Sequence, residues 1–212
     1  MLIKLRLPKT LLWVFNVFVI FILMFTFYRL LTLLAFKPEG EEWKHLAPSF
    51  FLGFRFDLRW ISIILLPIVI ASLIPQLSPF YSNRNKKMWT WYLAIMTFII
   101  IFFFAADFGN FSYNQTRLDA GALNVVEDAN ISLSMMFQTY PMVWLILGLI
   151  VAVLFFRWMY RQSHWQVVNR TEGKGISYRR KYFIITAIVL GFFVYGRISW
   201  PPLTWSDSFV FH

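Results

Sequence analysis

The sequence predicts an all-α integral membrane protein with five transmembrane helices and one or more amphipathic interfacial helices on the outer face. The 212 residues are 59% hydrophobic and 14% charged, whereas soluble domains are nearer about 45–50% apolar and about 25% charged. Five segments approach the roughly 20 apolar residues that a helix needs to cross a bilayer. Basic residues also concentrate in alternate loops between these segments, which is typical of the cytoplasmic side of membrane proteins.

The first predicted span covers residues 10–36 and follows a short basic tail. Its apolar run is too long for a secretory signal peptide, and no small-residue cleavage site follows it. We therefore expect an uncleaved spanning helix. The later predicted spans cover residues 54–77, 88–106, 141–160 and 182–200.

The segment 116–139, between the third and fourth predicted spans, carries an apolar stripe at helical spacing. Its polar residues fall largely off that stripe, so the pattern predicts one or two amphipathic helices that lie on the outer membrane face or cap the bundle. The stripe consists of Leu118, Ala122, Val125, Val126, Ala129, Leu133, Met136 and Phe137.

Charge predicts the orientation of the chain. The N-terminal tail, the loop after the second span and the loop after the fourth span are basic, and Glu172 is their one acidic residue. This distribution predicts a cytoplasmic N-terminus and an extracytoplasmic C-terminus. It also assigns the net charge of +10 to topology and to contact with the phospholipids of the cytoplasmic leaflet, which disfavours nucleic acid as a partner. The basic residues are Lys4, Arg6, Lys9, Arg84, Lys86, Lys87, Arg157, Arg161, Arg170, Lys174, Arg179, Arg180 and Lys181.

A second group of charges lies at the predicted outer ends of the spans, and we call it the outer rim. A structural interpretation is that its arginines reach headgroup phosphates while Asp57 pairs with a basic residue, for which Arg117 and Arg197 are candidates. A functional interpretation is that the rim receives an anionic lipid headgroup, since arginine binds phosphate with two parallel hydrogen bonds. Arg29, inside the first span, is expected to be structural. The outer rim consists of Arg55, Asp57, Arg59, Arg117, Asp119, Arg197 and Asp207.

No residue pattern in this chain indicates a catalytic centre or a metal site. There is no cysteine, and His45, His164 and His212 are far apart in sequence, without metal-binding spacing. His164 falls in a basic loop, where we expect it to be solvated. No nucleophile–base pair or paired-carboxylate site is evident.

Four short motifs, in order along the chain, resemble the lipoteichoic acid synthase family, a group of sulfatase-like, membrane-anchored phosphoglycerol transferases. One motif, Gly53-Phe-Arg55-Phe-Asp57, opens the second span, and the stretch after the fifth span resembles the family's sequence there. Pro201 departs from that pattern, because an arginine commonly precedes the Pro-Leu pair. The other motifs are Asp107-Phe-Gly-Asn-Phe111, Tyr140-Pro141 and the stretch from Gly196-Arg197 through Pro202-Leu203, Trp205 and Asp207 to Phe209.

The resemblance implies a bacterial cytoplasmic membrane protein whose five spans precede a large extracytoplasmic catalytic domain. In the family that domain holds a threonine nucleophile and a divalent metal (Mn, Mg or Zn), and neither has a matching position in this chain. Residues 201–212 would then begin the linker to the missing domain. The expected function is to anchor a phosphoglycerol transferase and orient a lipid headgroup, with membrane phospholipids and the missing domain as partners.

Two other functions remain open. A transporter or channel subunit could use Asn16, Arg29 and the prolines of the second span to line a path. Against this, mid-membrane acids and an inverted repeat are not evident in the sequence. A non-enzymatic assembly protein of the cell envelope is the other alternative.

Overall fold

A computed structural model describes residues 7–36, 43–114, 142–170 and 176–196. The described residues form five α-helices and one short 3₁₀ helix, which confirms the all-α prediction for this part of the chain. The predicted amphipathic segment 116–139 and the predicted linker 201–212 lie outside the described residues. The helices are α1 (Lys9–Phe36), α2 (Trp43–Ala71), α3 (Asn83–Asn114), α4 (Met142–Val168) and α5 (Ile176–Tyr195), with the 3₁₀ helix at Pro75–Leu77.

Helix α1 begins directly after Pro8, whose carbonyl accepts hydrogen bonds from the backbone N–H groups of Leu11 and Leu12. Proline suits this position because a helix start does not need its missing N–H. The buried residues of α1 recur every three or four positions and so follow one face. That face includes Thr10, Trp13, Val17, Phe21 and Met24.

Helix α2 contains Pro48 and Pro67, each of which removes one backbone donor from the helix. The helix ends at Ala71, short of the predicted end of the span at residue 77. Beyond it the chain tightens, with the N–H of Leu73 bonded to the Ile70 carbonyl at 3.1 Å.

Side chains of α3 close the turn that joins it to α2. Asn85 donates through Nδ2 to the carbonyls of Gln76 and Ser78, and its own N–H is capped by the Ser82 hydroxyl at 3.2 Å. Trp89 donates from its indole N–H to the Leu77 carbonyl at 2.8 Å. Serine at this capping position satisfies a donor that the first helical turn leaves unpaired.

Three helices of the described chain are long and apolar enough to cross a membrane: Lys9–Phe36, Asn83–Ser112 and Val143–Val168. Three of the five predicted spans therefore meet this criterion, and the prediction of five transmembrane helices stays a prediction. Helices α2 and α5 lack an equally long apolar stretch. Charged residues interrupt α2 at Arg55, Asp57 and Arg59, and basic residues occupy the first turns of α5.

The chain divides into two compact units, Met1–Thr90 with Tyr160–His212, and Trp91–Met159. In the described part of the first unit, α2 packs against both α1 and α5. Phe18 of α1 also stacks on Phe193 of α5, with ring centroids 6.3 Å apart. Helix α2 thus lies against both α1 and α5.

Candidate functional site in an interhelical polar cluster

Arg29 of α1 and Asp57 of α2 form an ion pair between the two helices. Both side chains are largely covered, with relative exposures of 17% and 14%. Arg29 also donates to the backbone carbonyl of Phe50, and its guanidinium lies 4.9 Å from the centroid of the Phe50 ring. A charge in an apolar helix is costly unless it is paired, so these contacts explain how α1 carries an arginine within its apolar run.

Gly53 leaves the space that the Arg29 guanidinium occupies. A Cβ atom built at Gly53 would lie 2.8 Å from the Cζ atom of Arg29, which is closer than real contacts allow. Phe50, Gly53 and Asp57 are spaced three and four residues apart, so they share the face of α2 that meets α1. Within the motif, Gly53 therefore leaves room for the Arg29 guanidinium and Asp57 pairs with it.

Arg55 makes a separate contact, with the C-terminal end of α5. It donates through Nε to the carbonyl oxygen of Gly196 at 3.1 Å, and also through Nη2. Gly196 has a φ of 74°, and its N–H bonds to the Phe192 carbonyl at 3.0 Å. A guanidinium at this place satisfies a carbonyl that the helix end leaves unpaired, and it suits the negative end of the helix dipole.

We define the interhelical polar cluster as Arg29, Gly53, Arg55, Asp57 and Gly196. Positions 55 and 57 are nearly opposite on a helix, and accordingly Arg55 contacts α5 while Asp57 contacts α1. The cluster thus links three helices through one segment of α2.

Of the predicted outer rim, the structure brings Arg55 and Asp57 into interhelical contacts and places Arg59 half-buried on α2. The other four rim residues, Arg117, Asp119, Arg197 and Asp207, lie outside the described residues.

A bundle-facing Asp57 is expected to need a basic partner from another segment, and in the structure that partner is Arg29. Arg29 was not among the two candidates for that role. A signal was present in the sequence, because an arginine inside an apolar helix itself requires an acid. Asp57 lies on the next helix and on the same predicted side of the membrane as Arg29.

His164 is buried, so the prediction of a solvated loop residue was wrong. Helix α4 continues past residue 160 to Val168, and the His164 side chain is only 5% exposed. Its ring stacks on Phe80 with centroids 4.1 Å apart and an interplanar angle of 8°, and it meets the Trp13 ring edge-on at 6.0 Å. Its Nε2 donates to the Pro79 carbonyl at 3.2 Å.

Polar contacts near His164 join three segments of the chain. Trp13 is fully buried and donates its indole N–H to the Tyr160 carbonyl at 3.1 Å. The hydroxyls of Thr10 and Ser78 are 2.8 Å apart. The start of α1, the turn after α2 and the end of α4 are thereby joined by polar contacts within an aromatic environment.

Among the described residues, no group of three or more His, Asp or Glu side chains could hold a metal ion. This part of the chain therefore offers no donor set for the divalent metal that the family resemblance implies.

Comparison with protein-family models, with curated proteins and with solved structures finds no match to this chain.

Proposed function

We propose that this chain is the membrane-anchoring and headgroup-orienting domain of a cell-envelope phosphoglycerol transferase similar to the lipoteichoic acid synthases. The transfer reaction, with its divalent metal, would belong to an extracytoplasmic domain that follows the fifth span. The chain's own task is to hold that domain beside the membrane surface and to present a phospholipid donor to it.

The observation that carries the proposal is the contact between Arg55 and the carbonyl of Gly196. Gly196 follows the last residue of α5 and lies near the outer end of the fifth predicted span, 182–200. Arg55 ties this exit point to α2, and the Arg29–Asp57 pair ties α2 to α1. An anchor of an external domain needs such a fixed exit, because the position and direction of the emerging chain set where the catalytic domain can reach.

Within this proposal Arg55 and Asp57 act as positioning residues. The carboxylate of Asp57 neutralises Arg29, and two of the donor groups of Arg55 are directed at Gly196. For the lipid phosphate we propose the outer-rim arginines Arg59, Arg117 and Arg197, because planar guanidinium groups suit bidentate phosphate binding.

The contacts of Arg29 weaken the alternative that the chain is a transporter or channel subunit. Arg29 was a candidate for lining a path, but its charge is balanced by Asp57 and its donors are used within the bundle. A paired arginine of this kind is sufficiently explained by the packing of α1 on α2.

The proposal is tested first by the reading frame beyond codon 212. A downstream segment encoding a threonine nucleophile with Asp, Glu and His metal ligands supports it, and an immediate stop codon followed by unrelated genes contradicts it.

The second test uses the full reading frame expressed in bacterial membranes with radiolabelled phosphatidylglycerol. We expect release of diacylglycerol and transfer of the labelled phosphoglycerol group to a hydroxyl of a glycan or lipid acceptor, abolished by a chelator and reduced at least severalfold by Arg55→Gln. The matched control is Arg84→Gln, on the predicted inner side, which should retain activity. Equal activity of both variants at equal expression would contradict the proposed role of the contact between Arg55 and the Gly196 carbonyl.

A further inference from the structure

In the part of the second unit that the structure describes, the one basic residue is Arg157 and the one carboxylate, Asp107, is distant from it. Within residues 91–114 and 142–159, the charged residues are Asp107 and Arg157. Asp107 lies about 24 Å along α3 from Trp91, at 1.5 Å per residue, and Trp91 is the residue that Arg157 contacts. A half-buried cation on an otherwise apolar pair of helices needs an anion from elsewhere.

Trp91 holds the Arg157 guanidinium in place. The Cζ atom of Arg157 lies 4.2 Å from the centroid of the Trp91 ring, within the range of a cation–π contact. The Nε atom is buried and has no hydrogen-bond acceptor. A guanidinium stacked in this way keeps its in-plane terminal N–H groups for an acceptor, which is the arrangement suited to phosphate.

Exposed aromatic residues surround this contact. Trp91 and Trp158 are 51% and 59% exposed, and Phe155 packs beside Trp158 with ring centroids 6.1 Å apart. Both tryptophans lie near the predicted inner ends of the third and fourth spans. Indole rings prefer the headgroup level of a bilayer, and the anion present at that level of the cytoplasmic leaflet is a lipid phosphate.

We propose that Arg157, held against Trp91, binds the phosphate of an anionic phospholipid in the inner leaflet. The site is distinct from the interhelical polar cluster and does not depend on the proposed transferase function. Its ligand is a lipid, because the aromatic side chains beside the guanidinium provide an apolar surface for acyl chains. A free phosphate ion would make no use of that surface.

The test compares the full chain with Arg157→Gln, Arg157→Lys and Trp91→Leu in detergent micelles. Phosphatidylglycerol, phosphatidylcholine or inorganic phosphate is added, and retained lipid is measured by native mass spectrometry and stability by thermal unfolding. Arg161→Gln is the matched control, because Arg161 is an exposed arginine one helical turn further along α4. Circular dichroism before lipid addition verifies that each variant is folded.

We expect phosphatidylglycerol to stabilise the unaltered chain and Arg157→Gln to weaken its binding about fivefold, the effect of one basic residue at an anionic membrane surface. Arg157→Lys should lie between, since it keeps the charge and loses the planar donor group, and Trp91→Leu should also weaken binding. Arg161→Gln should bind as the unaltered chain does.

Three results would overturn the proposal. Equal losses in Arg157→Gln and Arg161→Gln would show a general charge effect. Equal stabilisation by inorganic phosphate would show a free-anion site only. Unchanged lipid binding in Arg157→Lys and Trp91→Leu would show that the stacked guanidinium is not the binding group, even if Arg157→Gln failed to fold.

Discussion

Arg29 and Asp57 come from different helices, and each supplies the countercharge that allows the other to lie within an apolar bundle. The pair sits beside Gly53, which admits the guanidinium, and two residues from Arg55, which reaches α5. A short motif at the start of the second predicted span therefore organises three helices.

Removing the charge of Asp57 tests the pair directly. Asp57→Asn leaves Arg29 without a countercharge, and we expect the free energy of unfolding to fall by about 3 kcal/mol. Unfolding in mixed micelles measures this. The double variant Arg29→Gln with Asp57→Asn should recover much of the loss, because it removes the unpaired charge. Simple addition of the two single losses would contradict a direct pairing.

Gly53→Ala should destabilise the bundle by about 1–3 kcal/mol, because the new Cβ would displace the Arg29 guanidinium from its contacts. Gly191→Ala in α5 is the matched control, since a Cβ there meets no atom within 4 Å. It should be neutral or stabilising, as alanine favours helix more than glycine does. In an Arg29→Gln background the cost of Gly53→Ala should shrink. An undiminished cost in that background would place the clash elsewhere.

Gly196→Ala should cost about 1 kcal/mol, because residues with a side chain are strained at a φ of 74°. Arg55→Gln should produce a different effect, since it removes the charged donor and leaves the backbone turn intact. Thermal unfolding measures the cost of Gly196→Ala, and protease sensitivity of the segment after residue 196 measures the effect of Arg55→Gln. We expect Arg55→Gln to raise this protease sensitivity more than Gly191→Ala does. Equal sensitivity of the two variants would argue against the contact between Arg55 and the Gly196 carbonyl.

His164→Ala should destabilise the chain by about 3 kcal/mol, because it removes a buried ring that packs on Phe80 and Trp13. His164→Phe keeps a ring for stacking and loses the hydrogen bond to the Pro79 carbonyl, so about 1 kcal/mol is expected. Thermal unfolding of both variants gives the comparison. Equal, small losses of stability in both variants would indicate that the His164 side chain is solvated.

Hydropathy was sufficient to predict the helices, because an apolar run such as that of α1 has few other stable states in a membrane. It was less informative at helix ends. The fourth span was predicted to stop near residue 160, where polar residues begin, yet Tyr160, Ser163, His164 and Val167 are all buried on one face. Their spacing of three and four residues was a signal that the helix continues.

For the interhelical polar cluster, the sequence predicted that Asp57 needs a basic partner but did not identify Arg29 as that partner. The need of Asp57 for a cation follows from the cost of a lone charge near lipid. Which arginine meets it depends on how α1 and α2 pack, and sequence spacing does not determine that packing between separate helices. The role of Gly53 could not be predicted for the same reason, because the missing side chain can be interpreted only when the position of the Arg29 side chain is known.

The most direct test of the account is the orientation of the two chain ends, because the anchor proposal requires them on opposite sides of the membrane. The chain has no cysteine, so Leu5→Cys and Ser206→Cys each provide a single label without background. In intact bacteria a membrane-impermeant thiol reagent should label Ser206→Cys at once and Leu5→Cys only after permeabilisation. Labelling of Ser206→Cys only after permeabilisation would contradict the topology and, with it, the proposed anchor of an external domain.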